Sequence, residues 1–206
     1  MLLPDLGAHS LRPGTVAGPL ASLCDLRCPQ PPRQPSQPLA GLYCEGLGRN
    51  GPAQGSINIV LVPSNFNGDM DLFRAKSDEL YAEFQRHTPI AADGGLVNVW
   101  RVMQEATGYG PAQPSSYCGF YGMGTRMDCE RCLYCDTTKA KTLAAYCDFG
   151  FASTVIVLHN SDIYGGVGYT EEGVGTVSTA RLAGLIAVHE LGHSLFRLGD
   201  EYTYGL

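Results

Sequence analysis

Hydrophobic and polar positions change their pattern near residue 55, and the elements can be read from there. SINIVLVPS (56–64) is an apolar, β-branched run closed by proline, the pattern of a buried strand. In NFNGDMDLFRAKSDELYAEFQRH (65–87), Leu72, Phe73, Leu80, Tyr81 and Phe84 recur at helical spacing. Asp69 or Asp71 supplies acid to its first turn, and Thr88-Pro89 stops it. GLVNVWRVM (95–103) predicts a second strand and STVIVLHN (153–160) a third. Between them periodicity is lost, apart from a short helix predicted over 138–146. SDIYGGVGYTEEGVGT (161–176) reads as a glycine-rich loop. STARLAGLIAVHELGHSLFRL (178–198) predicts a largely buried helix, capped by Ser178 and ended by Gly199. The order β–α–β–insert–β–α argues an α/β fold with helices packed on a small twisted sheet.

Before residue 55 no period persists. Residues 1–54 hold nine of the thirteen prolines and read as a disordered or extended tail. The expected organisation is therefore a tail at 1–54 and one domain at 55–206.

The net charge of −6 gives no basic surface for nucleic acid, and no apolar run approaches the roughly 20 residues of a membrane span. The N-terminus carries no readable secretory signal. The eight cysteines are even in number, which suits disulfides and an oxidising compartment. Cys129, Cys132 and Cys135 leave a second reading open, a zinc site, but three bunched cysteines fit the paired units of structural zinc poorly. Disulfides are the preferred reading.

The chemistry sits in HELGHSLFRLGDEYTY (189–204). Four residues of helix advance about 6 Å and pass one full turn by about 40°, so His189 and His193 project from one face. Two imidazoles so placed can share one zinc ion. Glu190 lies about 100° round the helix, where a carboxylate can reach a water in the open coordination position and act as general base. An apolar helix is a costly place for these three residues unless they have a partner such as a metal.

A catalytic zinc needs a third protein ligand. No histidine follows His193, and HExxHxxGxxH would put Phe196 in the glycine slot and Gly199 in the last histidine slot. In a continuous helix Asp200 would lie about 10.5 Å beyond His193, too far for a short side chain. The chain must turn back after Leu198, and Gly199 is the residue expected to allow it. Asp200 is favoured as third ligand over Glu201, with the other acid in a supporting contact. His159 reads as a packed histidine, and Tyr202 as a packed tyrosine with donation to an oxyanion as the alternative.

These residues carry a family resemblance. HELGHS followed by the Asp200-Glu201-Tyr202 triplet resembles the M64, or IgA peptidase, family of metallopeptidases, and INIVLVPSNFNGDMDLF, NVWRV and VIVLHNSDIYGG resemble its core segments in the same order. The resemblance implies a zincin-like fold and a zinc-dependent endopeptidase acting on protein or peptide substrates, secreted as most bacterial members are. It also implies that the strand at 153–160 is a sheet edge open to extended substrate, and that a further wall of the cleft is missing after Leu206. In the loop after that strand, Tyr164-Gly165-Gly166 is glycine-rich enough to let a peptide backbone approach, an ordinary flexible loop being the alternative. The competing reading is an inactive homologue that binds zinc as an interaction module.

Overall fold

The computed structural model describes residues 41–48, 51–87, 90, 96–104, 117–120, 129, 131–147 and 153–200. The elements are β1 (Leu42–Gly48), β2 (Ile57–Ser64), α1 (Met70–Phe84), β3 (Val97–Gln104), β4 (Cys118–Phe120), β5 (Leu133–Cys135), α2 (Thr137–Ala144), β6 (Thr154–His159), β7 (Gly166–Tyr169), β8 (Val174–Ser178) and α3 (Ala183–Ser194). Six strands form one mixed sheet in the order β1-β3-β2-β6-β8-β7. The inner four are parallel, and β1 and β7 join the two edges antiparallel.

The alternation of a strand explains the layers. Ile59 and Leu61 of β2, with Ile156 and Leu158 of β6, pack against Phe73, Leu80 and Phe84 of α1 and Ile186 and Leu191 of α3. Their neighbours Val60, Val62, Val155 and Val157 face the other way, onto Ala140 and Leu143 of α2. Both faces of the central strands are covered, which is why they read as unbroken apolar runs. Asp69 caps α1 by accepting from the Leu72 N–H at 2.9 Å, and Asp71 is the acid in its first turn.

Three expectations are corrected. Leu42–Gly48, inside the stretch read as a tail, is an edge strand on β3. Its glycines and short length hide it from periodicity, and long-range ties hold it. Cys44 is disulfide-bonded to Cys147, and Glu45 accepts from Arg101 at 2.8 Å. The buried Arg101 guanidinium also donates to Asp78 at 2.7 Å, and its hydrogen bond holds the Glu45 carboxyl below the usual range. The Cys44–Cys147 loop of 103 residues is of the size for which cross-linking removes about 4–5 kcal/mol of chain entropy from the unfolded state.

The second correction concerns 161–176, which is not all loop, because the hairpin strands β7 (Gly166–Tyr169) and β8 (from Val174) form within it. The third concerns the edge. β6 lies between β2 and β8, so the sheet edge beside α3 is β7 and not the strand at 153–160.

The cysteine-rich insert contributes the two-stranded β4–β5 ribbon, crosslinked by Cys118–Cys135, and a turn closed by Cys129–Cys132. Cys129, Cys132 and Cys135 are thus in disulfides, not around a second metal. Cys24 and Cys28 lie outside the described residues. The three disulfides among the described residues fit an extracellular, oxidising environment. No helix among the described residues is long and apolar enough to cross a membrane.

Candidate metal centre

Helix α3 is shorter than its sequence pattern. Ser178 is the buried last residue of β8, and the helix begins after Leu182, which is left-handed (φ 67°) and offers no side-chain cap. The buried face of α3 carries Ile186, Ala187, Glu190, Leu191 and Ser194. Ser194 bolts this face to the sheet, donating to the Glu190 carbonyl at 2.8 Å and accepting from Thr154 at 3.2 Å. Leu182, Leu185 and Leu198, expected in the core, are exposed at 46–61%. They line a cleft of about 740 Å³ that contains His189, Glu190, His193 and Asp200.

The chain does turn back after the helix, but not at Gly199. Arg197 takes the left-handed conformation (φ 56°), and the Leu198 N–H donates to the Gly192 carbonyl at 2.9 Å. The turn has two consequences. It presents the Leu198 carbonyl to His193 Nδ1 at 2.7 Å, so Nδ1–H donates and Nε2 keeps its lone pair. It also brings Asp200 back over the helix. Asp200 Oδ1 lies 3.1 Å from His193 Nε2 and 3.3 Å from His189 Nε2, and the two Nε2 atoms are 3.2 Å apart.

A lone pair on His193 Nε2 facing a carboxylate oxygen is unfavourable without a cation between them. The size of the triangle fits one. Tetrahedral ligands held at 2.0–2.1 Å from a zinc-sized ion are separated by about 3.3 Å. The residues present therefore fit a divalent ion, and these three atoms could hold it. His189, Glu190 and His193 also converge within 4.8 Å, but the set with Asp200 is the tighter one. Glu201 and Tyr202 lie outside the described residues.

Glu190 stands apart from the triangle. It is 6% exposed, and no hydrogen bond found among the described residues ends on its carboxylate. Burial pushes its carboxyl up to about 8, and the Asp200 charge adds to the effect. A dication beside it acts in the opposite sense. A buried carboxylate with no structural partner, in a cleft, is the signature of a working group. His159 is a packed histidine, as expected. It is buried, lies 3.0 Å from Ser64 Oγ, and burial lowers its pKa.

The floor of the site is glycine; the sequence marks Gly166 for close approach of a peptide, but not Gly168 or Gly175, nor their packing against α3. Gly166 and Gly168 point from the same face of β7, and Gly175 is paired with Gly168 across the hairpin. A Cβ at 166 would sit 2.8 Å from Glu190 Oε1, and one at 168 would sit 2.5 Å from His193 Cβ. The alternate glycines in GGVGY were the signal, since glycine at every second residue of a strand marks close backbone approach. Gly168→Ala is expected to push His193 off the triangle and to weaken divalent-metal affinity by about tenfold or more, measured by competition with a chromogenic chelator. Gly199→Ala is the control. Its Cβ meets nothing within 4 Å and its φ is ordinary, so affinity should stay within about twofold. Equal loss in both would refute the packing account.

Residues 47–206 match the family model described as IgA Peptidase M64. No curated protein matches the chain.

Proposed function

The chain belongs to the IgA peptidase M64 family, and from that premise we propose that this peptidase is a zinc-dependent endopeptidase of the zincin type, secreted, and acting on extended segments of protein. The observation that carries the reading is the triangle of His189 Nε2, His193 Nε2 and Asp200 Oδ1, with sides of 3.1–3.3 Å. In this reading His189, His193 and Asp200 hold the ion. When bound, zinc supplies a Lewis acid that brings the pKa of water toward 7.

The chain's own groups do the rest. Glu190 follows His189 on the helix but points between Gly166 and Gly168, so its carboxylate flanks the ligand set without joining it. It takes the proton of the attacking water at a carboxylate oxygen and passes it to the leaving amine. His193 Nδ1–H, held by the Leu198 carbonyl, keeps the imidazole in the ligating tautomer. Strand β7 has no strand on its outer side among the described residues, so an extended peptide can pair there, beside the helix that carries Glu190. The apolar rim of Leu182, Leu185 and Leu198 offers contacts for substrate side chains.

The purified protein is expected to contain one zinc per chain by elemental analysis and to hydrolyse casein. A chelator should abolish hydrolysis, and added zinc should restore it. A protein that binds one zinc yet cleaves neither casein nor a mixed peptide pool would overturn the peptidase reading.

A further inference from the structure

The turn closed by Cys129–Cys132 sits on the rim of the same cleft. Arg131, next to Cys132 in it, is tied to the sheet edge, since the Gly166 N–H donates to the Arg131 carbonyl at 3.1 Å. That bond joins the turn to the first residue of β7, whose missing Cβ makes room for Glu190 Oε1. Gly165 is required on the same account, because a Cβ there would collide with the Arg131 carbonyl. The backbone of Arg131 is therefore anchored one residue from the general base.

The side chain is held in place, and no ion pair among the described residues engages it. The disulfide closes the backbone on both sides of Arg131, and the Cys132 N–H donates to the Cys129 carbonyl at 3.2 Å. The guanidinium lies over the Tyr164 ring, 5.9 Å from its centroid. Stacking on an aromatic face leaves the edge donors of a guanidinium open for a carboxylate. Arg131 is absent from every ion pair found among the described residues. The cleft's own acids are committed elsewhere, Asp200 to the two histidines and Glu190 to its buried place against β7. Among the described residues that line the cleft, Arg131 is the one lysine or arginine.

We propose that Arg131, presented by the Cys129–Cys132 turn, forms an anion-selective subsite that accepts an acidic side chain of the peptide substrate close to the scissile bond. The proposal rests on the peptidase reading for its substrate, and on the placement of Arg131 for its selectivity. A peptide laid along β7 meets this turn at the Gly166 end of the strand, where the Arg131 carbonyl already occupies the Gly166 N–H. A bidentate guanidinium–carboxylate contact there discriminates against the neutral amide of the same shape.

The test is a set of fluorogenic peptides identical except for Glu, Gln or Lys at one position, scanned across the residues on both sides of the cleavage point. At one of those positions the wild type should show a kcat/KM about tenfold higher for Glu than for Gln. Arg131→Lys should retain part of that ratio, Arg131→Gln should bring it to one, and Arg131→Glu should invert it in favour of the Lys peptide. A merely structural arginine would change the rate on all three peptides together. The same peptides are titrated by fluorescence anisotropy onto the Glu190→Ala protein and its double variant with Arg131→Gln. If the wild type cleaves nothing, the peptidase reading fails, and tighter binding of the Glu peptide that depends on Arg131 still upholds the subsite. Equal handling of Glu and Gln peptides in cleavage and binding, or a preference that survives Arg131→Gln, overturns it.

Discussion

Glu190→Gln lowers kcat for peptide cleavage by about a thousandfold, the middle of the range for loss of a general base, while zinc stays at one per chain. The two halves of this expectation come from different geometry. Metal retention follows because the triangle of His189, His193 and Asp200 does not include the Glu190 carboxylate, which lies against Gly166 and Gly168 instead. Loss of rate follows because an amide cannot take a proton from water. Stability should hold, since glutamine has the same shape and replaces a buried carboxyl that burial already pushes up to about 8 and that has no hydrogen-bonded partner among the described residues. Thermal unfolding, elemental analysis and a fluorogenic assay read the three consequences separately. Activity within tenfold of wild type would remove Glu190 from the mechanism. Loss of the metal would make it a ligand.

The same geometry shows why part of the molecule was legible in its sequence. The histidine pair depends on helix geometry alone, so the convergence of His189 and His193 could be placed from their spacing. The central strands β2 and β6 are covered on both faces, so their apolar runs announce them. The hairpin β7–β8 did not announce itself, because its glycines at 166, 168 and 175 are required by the helix lying on it. A tertiary contact replaced the alternation by which strands are recognised. Leu182, Leu185 and Leu198 misled for the opposite reason. They are apolar because they line a cleft, and periodicity cannot tell a cleft wall from a core. The turn after α3 was expected at the glycine and falls on Arg197, a residue type that gives no signal for positive φ. Left-handed backbone in a non-glycine residue at a site boundary is held by its surroundings, here by the bonds from Leu198 to Gly192 and His193.

That turn makes Asp200 the sharpest remaining test. Asp200→Ala is expected to weaken zinc binding by more than about 100-fold, beyond what loss of a supporting contact to a ligand causes. The backbone carries the effect. With Arg197 left-handed, Leu198 is folded back onto Gly192, its carbonyl takes the His193 Nδ1–H, and two residues later Oδ1 of Asp200 reaches both Nε2 atoms at once. A continuous helix would have left this carboxylate about 10.5 Å along the axis from His193. Glu201→Ala should cost far less, because the triangle closes without it. Zinc affinities of both variants, measured by competition with a chromogenic chelator, decide between the two acids. Full affinity in Asp200→Ala with loss in Glu201→Ala would assign the third ligand to Glu201 and make the present Asp200 contact a second-sphere one. A parallel loss in Asp200→Ala of both zinc and casein hydrolysis, with thermal stability of the metal-free protein unchanged, would tie the turn at Arg197 directly to catalysis, since the aspartate would then serve the ion and not the fold.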